Sequence, residues 1–253
     1  MRYTDLIFDL YGTLVDIHTE ENDLVWDKTA LYFGYYGAPC TGKELKTDFE
    51  SVMTSRESVA GQSYEVYPDI PFDEVMADLF RARGVTENAN VLGFNAAQVF
   101  RVASTEYIRL YDRVLESLDA LRQKGFRLWL LSNAQRSFTA YELRLLGLDT
   151  RFDRIYLSSD YQCRKPDGRF FSALLEGEHL DASRCLMIGN DRETDIAGAT
   201  AAGLSTLYMH TNLTPAEQAP ADPGKVAKDV SGQCHYEFEG ANWPALTTLI
   251  AGL

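Results

Sequence analysis

Asp9 closes a short apolar run and is followed by Leu10-Tyr11-Gly12-Thr13-Leu14. A carboxylate at the end of a buried strand, with a glycine that lets the backbone turn tightly, lies on the edge where parallel sheets bind ligands. Three further apolar runs end in polar groups. Ser132 and Asn133 close the second. Lys165 follows the third, within Arg164-Lys165-Pro166-Asp167. The fourth ends in Gly189-Asn190-Asp191, with Asp195 four residues on. Taken singly, these are a turn cap, a helix cap, a surface lysine and acids at a helix N-terminus. Taken in order, they offer a nucleophile, a hydroxyl, an ammonium and paired acids at successive strand ends. Asp9, Asp191 and Asp195 are expected to converge. Three carboxylates repel unless a cation sits among them, and oxygen-only ligation suits Mg²⁺.

The elements that must position these groups follow from the pattern. Thr4 to Leu10, Phe126 to Ser132, Arg154 to Ser159, Cys185 to Gly189 and Leu204 to Met209 read as strands, and Tyr236 to Glu239 as a last one. Helices are expected over Glu106 to Lys124, Phe138 to Leu146, Gly168 to about Leu175, Thr194 to Ala202 and Trp243 to Ile250. Gly125, Gly147 and Gly203 stand where three of them stop. Residues 15–104 read as all-helical. Thr41 with Glu44 forms a capping box, and Pro71 and Gly84 bound another helix. Thr211 to Gly232 reads as a polar surface loop. The fold class is therefore α/β, a doubly wound parallel sheet formed by residues 1–14 and 105–253, with a small α-helical cap over 15–104. The cap aromatics Trp26, Tyr32, Phe33, Tyr35 and Tyr36 are expected to pack its helices together rather than to line a pocket.

The four runs resemble the four motifs of the haloacid dehalogenase (HAD) superfamily of hydrolases, from Thr4 to about His210, with a helical cap inserted after the first motif. The resemblance implies a Rossmann-like core and a division of labour. Asp9 would be the nucleophile and form an aspartyl-phosphate intermediate. Ser132 and Lys165 would bind the phosphoryl oxygens, with Thr13 and Asn133 also at the substrate. Asp9, the Tyr11 carbonyl, Asp191 and Asp195 would hold Mg²⁺, with Asn190 as an alternative ligand. Two departures stand out. Phosphatases of the superfamily usually carry a second Asp two residues after the nucleophile, as acid and base; here that slot is Tyr11. Tyr in this slot is typical of the metal-free 2-haloacid dehalogenases, but those use an Arg from early in the cap, and no Arg lies between Asp16 and Ser55. The expectation is a Mg²⁺-dependent phosphatase acting on a small phosphorylated metabolite. The alternatives are a metal-free dehalogenase-like hydrolase and a weakly catalytic binding member of the same fold.

Composition bounds the partners. The chain has 253 residues, 45% apolar and 24% charged, as in ordinary globular proteins. A net charge of −13 repels nucleic acid and anionic membranes. A phosphorylated substrate therefore needs local positive charge. No apolar run reaches the roughly 18 residues of a membrane span, and no secretory signal is read. Four scattered cysteines without a C-x-x-C pair fit a reduced, cytoplasmic protein, monomeric or homodimeric. The four histidines receive no role, although His18 lies close to the first motif.

Overall fold

The computed structural model describes residues 2–62, 67–218, 226–228 and 232–253. In chain order the elements are β1 (Asp5–Phe8), β2 (Val15–Thr19), α1 (Asp23–Tyr35), α2 (Gly42–Gln62), α3 (Phe72–Ala82), α4 (Ala89–Ser104) and β3 (Thr105–Leu110). Then follow α5 (Val114–Gln123), β4 (Arg127–Ser132), α6 (Arg136–Leu145), β5 (Arg154–Leu157), α7 (Ser158–Tyr161) and α8 (Gly168–Gly177). The chain closes with β6 (Cys185–Gly189), α9 (Gly198–Ala201), β7 (Ser205–His210), β8 (Val226–Lys228), β9 (Cys234–Glu239) and α10 (Trp243–Gly252).

The main sheet has the order β5-β4-β1-β6-β7-β9-β8. All its pairings are parallel except β8 with β9. β1 is central, with Phe8 in register with Leu130 of β4 on one side and Ile188 of β6 on the other. The strand order reverses beside β1, so the carboxyl ends of β1, β4 and β6 meet at the switch point where such sheets bind ligands. Both faces are covered. Leu6, Phe8, Leu118, Leu128 and Trp243 pack on one side; Ile7, Leu131, Phe170, Phe171 and Met187 pack on the other. Strands buried on both faces read as continuous apolar runs, which is why they are visible in the sequence.

The four helices α1–α4 surround a hydrophobic cluster of their own, with Phe33 stacked on Phe80 and Trp26 edge-on to Phe100. Among the aromatics expected to pack the cap helices, Trp26 and Phe33 are buried in this cluster as expected, while Tyr35 stands 85% exposed. The capping box forms as expected, with Thr41 Oγ1 accepting from the Glu44 amide at 3.2 Å and the Glu44 carboxylate accepting from the Thr41 amide at 2.8 Å.

The all-helical expectation for 15–104 fails at its start, and the helix expected over Glu106 to Lys124 begins only at Val114, its first residues forming a strand instead. Val15–Thr19 and Thr105–Leu110 pair as an antiparallel ribbon. The sequences VDIHT and TEYIRL alternate in the two-residue period of strands, and the helical pattern that follows each masked that signal. Asp16 is buried on the ribbon. It accepts two bonds from Arg109, at 2.9 and 2.7 Å, and one from Asn212 at 3.0 Å. Burial works to raise its carboxyl, but the bonds from Asn212, Arg109 and Tyr107 outweigh it and hold the group below its usual range. The expected loop 211–232 falls partly outside the described residues, and its described part contains the edge strand β8.

Candidate active site

Asp9 follows β1 directly and is 7% exposed. Lys165 is fully enclosed, and its Nζ donates to Asp9 Oδ1 at 2.8 Å, to Asp195 Oδ1 at 2.6 Å and to the Leu131 carbonyl at 2.8 Å. Burial opposes the lysine's charge, but the Asp195 and Asp9 carboxylates outweigh it, and Lys165 stays an ammonium. Burial lifts the Asp195 carboxyl, to about 7; Lys165 pulls against that rise and the Asp9 charge adds to it. One ammonium thus serves two buried carboxyls.

The Lys165 loop is braced by Asn133. Its Oδ1 accepts from the Lys165 amide at 2.8 Å and its Nδ2 donates to the Lys165 carbonyl at 3.0 Å. Both ends of the amide are therefore committed to holding this loop, where the sequence reading placed Asn133 at the substrate. Thr13 Oγ1 is likewise inside the site, 3.4 Å from Asp9 Oδ2 and 3.2 Å from Asn190 Oδ1. Ser132 differs from both: its hydroxyl is buried and, among the described residues, has no hydrogen-bond partner. A buried hydroxyl left unpaired at a strand end costs free energy that an arriving oxygen would recover.

The three acids do not gather as expected. Among the described residues, the carboxylates of Asp9, Asp191 and Asp195 fail to come within 4.8 Å of one another. Asp191 caps the next helical segment, where Oδ1 accepts from the Glu193 and Thr194 amides at 2.8 and 3.0 Å. That segment, Arg192–Ala197, is a wide π-helical turn running into α9, not the single α-helix the sequence suggested. The turn brings Asp195 back over Gly189, where an added Cβ would lie 2.2 Å from Asp195 Oδ2. Asn190, not Asp191, faces the cluster. Its Nδ2 donates to the Leu213 carbonyl at 3.2 Å, which turns Oδ1 toward Thr13. Gly12 permits this approach, with φ of +84° and no room for a Cβ against the Asn190 amide. Asp9 and Asn190 thus present oxygens on either side of one hydroxyl. With Asp195 they make an all-oxygen donor set that fits a hard cation such as Mg²⁺.

Tyr11 turns away from this cluster. Its hydroxyl donates to Glu142 Oε2 on α6 and contacts Thr139 Oγ1 at 2.8 Å. Loss of water around the phenol, together with the Glu142 charge, pushes its pKa above the ordinary 10. It is no base at neutral pH. Arg101, on α4, lies over the Tyr11 ring and donates to Glu142 at 2.5 and 3.2 Å. No arginine lies between Asp16 and Ser55; the one beside Tyr11 comes from α4. Nothing local marks Arg101 or Glu142 in the sequence, since their proximity depends on how α4 docks on α6.

Above Tyr11 and Asn133 lies a cavity of about 420 Å³, lined also by Ile17, Asp69, Arg101 and Arg164. His18 lies on the ribbon, 3.6 Å from Glu106, and does not line this cavity.

Comparison with known proteins decides the family. Residues 6–203 match the haloacid dehalogenase-like hydrolase family. The chain belongs to that family. A phosphoglycolate phosphatase of Vibrio cholerae is 31% identical over 230 residues, 89% of this chain and 92% of that protein. A glyceraldehyde 3-phosphate phosphatase of Methanothermobacter thermautotrophicus is 32% identical over 111 residues, 44% of this chain. The match spans about half, 49%, of that relative. Among solved structures, 2-haloacid dehalogenase from Pseudomonas syringae superposes with a TM-score of 0.65 at 20% identity, over 99% of each chain. YfnB of Bacillus subtilis, bound to magnesium, gives 0.54 at 22% identity, also over 99% of each. At such identities the two structures show the fold of this HAD hydrolase and no more. Among the described residues, no helix is long and apolar enough to cross a membrane.

Proposed function

We propose that this HAD hydrolase is a Mg²⁺-dependent phosphohydrolase that attacks a small phosphate ester with Asp9, with residues 15–104 acting as a cap over the site. The observation that carries the reading is the unpartnered Ser132 hydroxyl. It follows Leu131, whose carbonyl fixes the Lys165 ammonium, so a donor waits beside the only cation that touches Asp9 among the described residues. Phosphatases among the curated relatives support the same substrate class.

Asp9 Oδ1 is held by Lys165, which leaves Oδ2 as the attacking atom. Oδ2 forms a bond to phosphorus while the ester oxygen leaves with the bonding electrons. Ser132 donates to a phosphoryl oxygen, the neighbouring Lys165 ammonium offsets the phosphoryl charge, and water then cleaves the acyl phosphate to regenerate Asp9. Mg²⁺, held by Asp9, Asn190, Asp195 and the Tyr11 carbonyl, would offset the repulsion between the carboxylate and the phosphoryl group. Tyr11 keeps its proton and donates its hydrogen bond to Glu142, not to the leaving group. Good leaving groups are therefore favoured. Acetyl phosphate and p-nitrophenyl phosphate should be hydrolysed with Mg²⁺ and not with excess chelator, and faster than alkyl phosphates. No Mg²⁺-stimulated turnover across such a panel would end this reading.

The division of labour among the acids is separately testable. Asp195→Asn should lower turnover by about 10- to 100-fold, since Asp195 orients Lys165. Asp191→Ala should cost about 1 kcal/mol of stability through the lost cap and leave turnover within a few-fold. Equal losses of turnover in the two variants would make Asp191 a functional ligand after all.

A second reading has one observation in its favour. Lys165 already bridges Asp9 and Asp195, so the pair is electrostatically served without a further cation. That arrangement suits a metal-free dehalogenase with Tyr11 in the first motif. Such an enzyme would release chloride from 2-chloropropionate in excess chelator, and silence in that assay removes it.

A further inference from the structure

The cavity above Tyr11 holds two guanidinium groups, and their circumstances differ. Arg101 is committed, with Nε and Nη2 both on Glu142. Arg164 is not. Among the described residues, its side chain makes no hydrogen bond and no ion pair, although it lines the same cavity. Its backbone is fixed nonetheless. The Arg164 amide donates to the Tyr67 carbonyl at 3.0 Å, and the preceding Cys163 bridges to Pro68. The following residue is Lys165, whose own amide is held by Asn133. A clamped backbone therefore carries a free cation into the cavity, one residue from the ammonium that binds Asp9.

Asp69 is the acid on the same wall. Burial raises its carboxyl and the Arg164 charge works against that rise, but the two residues make no hydrogen bond or ion pair among the described residues. Its Oδ2 accepts from Ser158 Oγ at 2.5 Å and its Oδ1 from Gln135 Nε2 at 2.8 Å. Gln135 Oε1 in turn accepts from the Phe72 amide at 2.8 Å. These bonds pin the segment 68–72 to α6 and α7 and use the carboxylate structurally. What remains facing the cavity is one unpaired guanidinium, in a chain whose net charge is −13. Guanidinium is the side chain that best recognises planar carboxylate or phosphate oxygens through paired N–H donors.

We infer that Arg164 is a specificity residue that binds a second anionic group on the substrate, so that the substrate is a small phosphate ester also bearing a carboxylate or a second phosphate. The inference rests on the phosphohydrolase reading above and extends it from the phosphoryl group to the far end of the ligand. Ser132 and Lys165 take the phosphoryl group; Arg164 takes the other anion across the cavity.

The test measures binding by calorimetry, with three non-hydrolysable probes at a fixed Mg²⁺ concentration. Methylphosphonate has one anionic group, phosphonoacetate adds a carboxylate, and methylenediphosphonate adds a second phosphonate. The wild type should bind at least one of the two doubly anionic probes about 10- to 100-fold more tightly than methylphosphonate. The probe that gains more identifies the second group. Arg164→Gln should erase that gain while leaving methylphosphonate affinity unchanged, and Arg164→Lys should keep part of it. Equal affinity of the wild type for all three probes, or an equal loss of all three in Arg164→Gln, overturns the inference. Turnover of p-nitrophenyl phosphate, which lacks a second anion, reports on the Asp9 chemistry alone. Its absence, with Arg164-dependent binding intact, removes the phosphohydrolase reading and leaves the subsite standing.

Discussion

Asp9→Asn is expected to lose turnover of p-nitrophenyl phosphate and acetyl phosphate by about 10⁴-fold or more, while the folded protein is as stable as the wild type or slightly more so. The two halves of that result come from the same contacts. An amide at position 9 has the shape of the carboxylate and still offers Lys165 an oxygen, but it cannot attack phosphorus. Lys165 keeps Asp195 at 2.6 Å, so the buried ammonium is not orphaned. The substitution also removes one of two like charges around that ammonium, and Asp9 is one of the groups that raise the Asp195 carboxyl. Relief of that repulsion is the source of any added stability. Turnover that survives within tenfold would exclude Asp9 as nucleophile. Loss of turnover together with a large fall in the melting temperature would mean that position 9 matters for folding, and the kinetic result would carry no mechanistic weight.

The legible part of this molecule was the part encoded locally. Strands β1, β4, β6 and β7 are buried on both faces, so their sequences centre on apolar runs rather than on alternation. Asp9 and Asn190, each just past a strand end, inherit their position from the sheet, and Thr13, Lys165 and Asp195 are joined to them by hydrogen bonds. What the sequence concealed depended on choices between neighbours or on distant docking. Asn190 and Asp191 are adjacent acceptors, and only the course of the following backbone decides which faces Asp9. The π-helical turn uses Asp191 as its cap, which leaves Asn190 for the site. The helical reading of Thr194 to Ala202 had no means of registering that wider turn. Asn133 carried no mark of its service to the Lys165 loop. The link between Tyr11, Glu142 and Arg101 joins the turn after β1 to α6 and α4, and a side chain 90 residues from Tyr11 becomes its neighbour only through tertiary packing. The ribbon of β2 and β3 was readable in principle, since both segments alternate, but each runs into a stronger helical pattern.

Lys165→Met is expected to cost about 3–5 kcal/mol of stability near neutral pH and to abolish turnover. Methionine fills the channel of the lysine stem, so packing changes little and the effect isolates the charge. Without the ammonium, Asp9 and Asp195 face each other in a buried site, and the Leu131 carbonyl loses its donor. Asp195, already raised by burial, would then take up its proton still more readily in the folded than in the unfolded state, because the Lys165 charge no longer pulls against that rise. A carboxyl whose folded pKa is raised destabilises the fold above that pKa and ceases to do so as protons are added. The deficit relative to wild type should therefore be largest above neutral pH and shrink steadily as the pH falls toward about 5. A second cation should also substitute for the first. Added Mg²⁺ should raise the melting temperature of Lys165→Met more than that of the wild type, because the variant has two carboxylates and no resident positive charge between them. Urea titrations at several pH values, with and without Mg²⁺, read each of these effects. A deficit below about 1 kcal/mol that is flat with pH would show that the two carboxylates are not held together by Lys165. In that case the donor set offered to an incoming phosphate ester would have to be built again, from Ser132 outward.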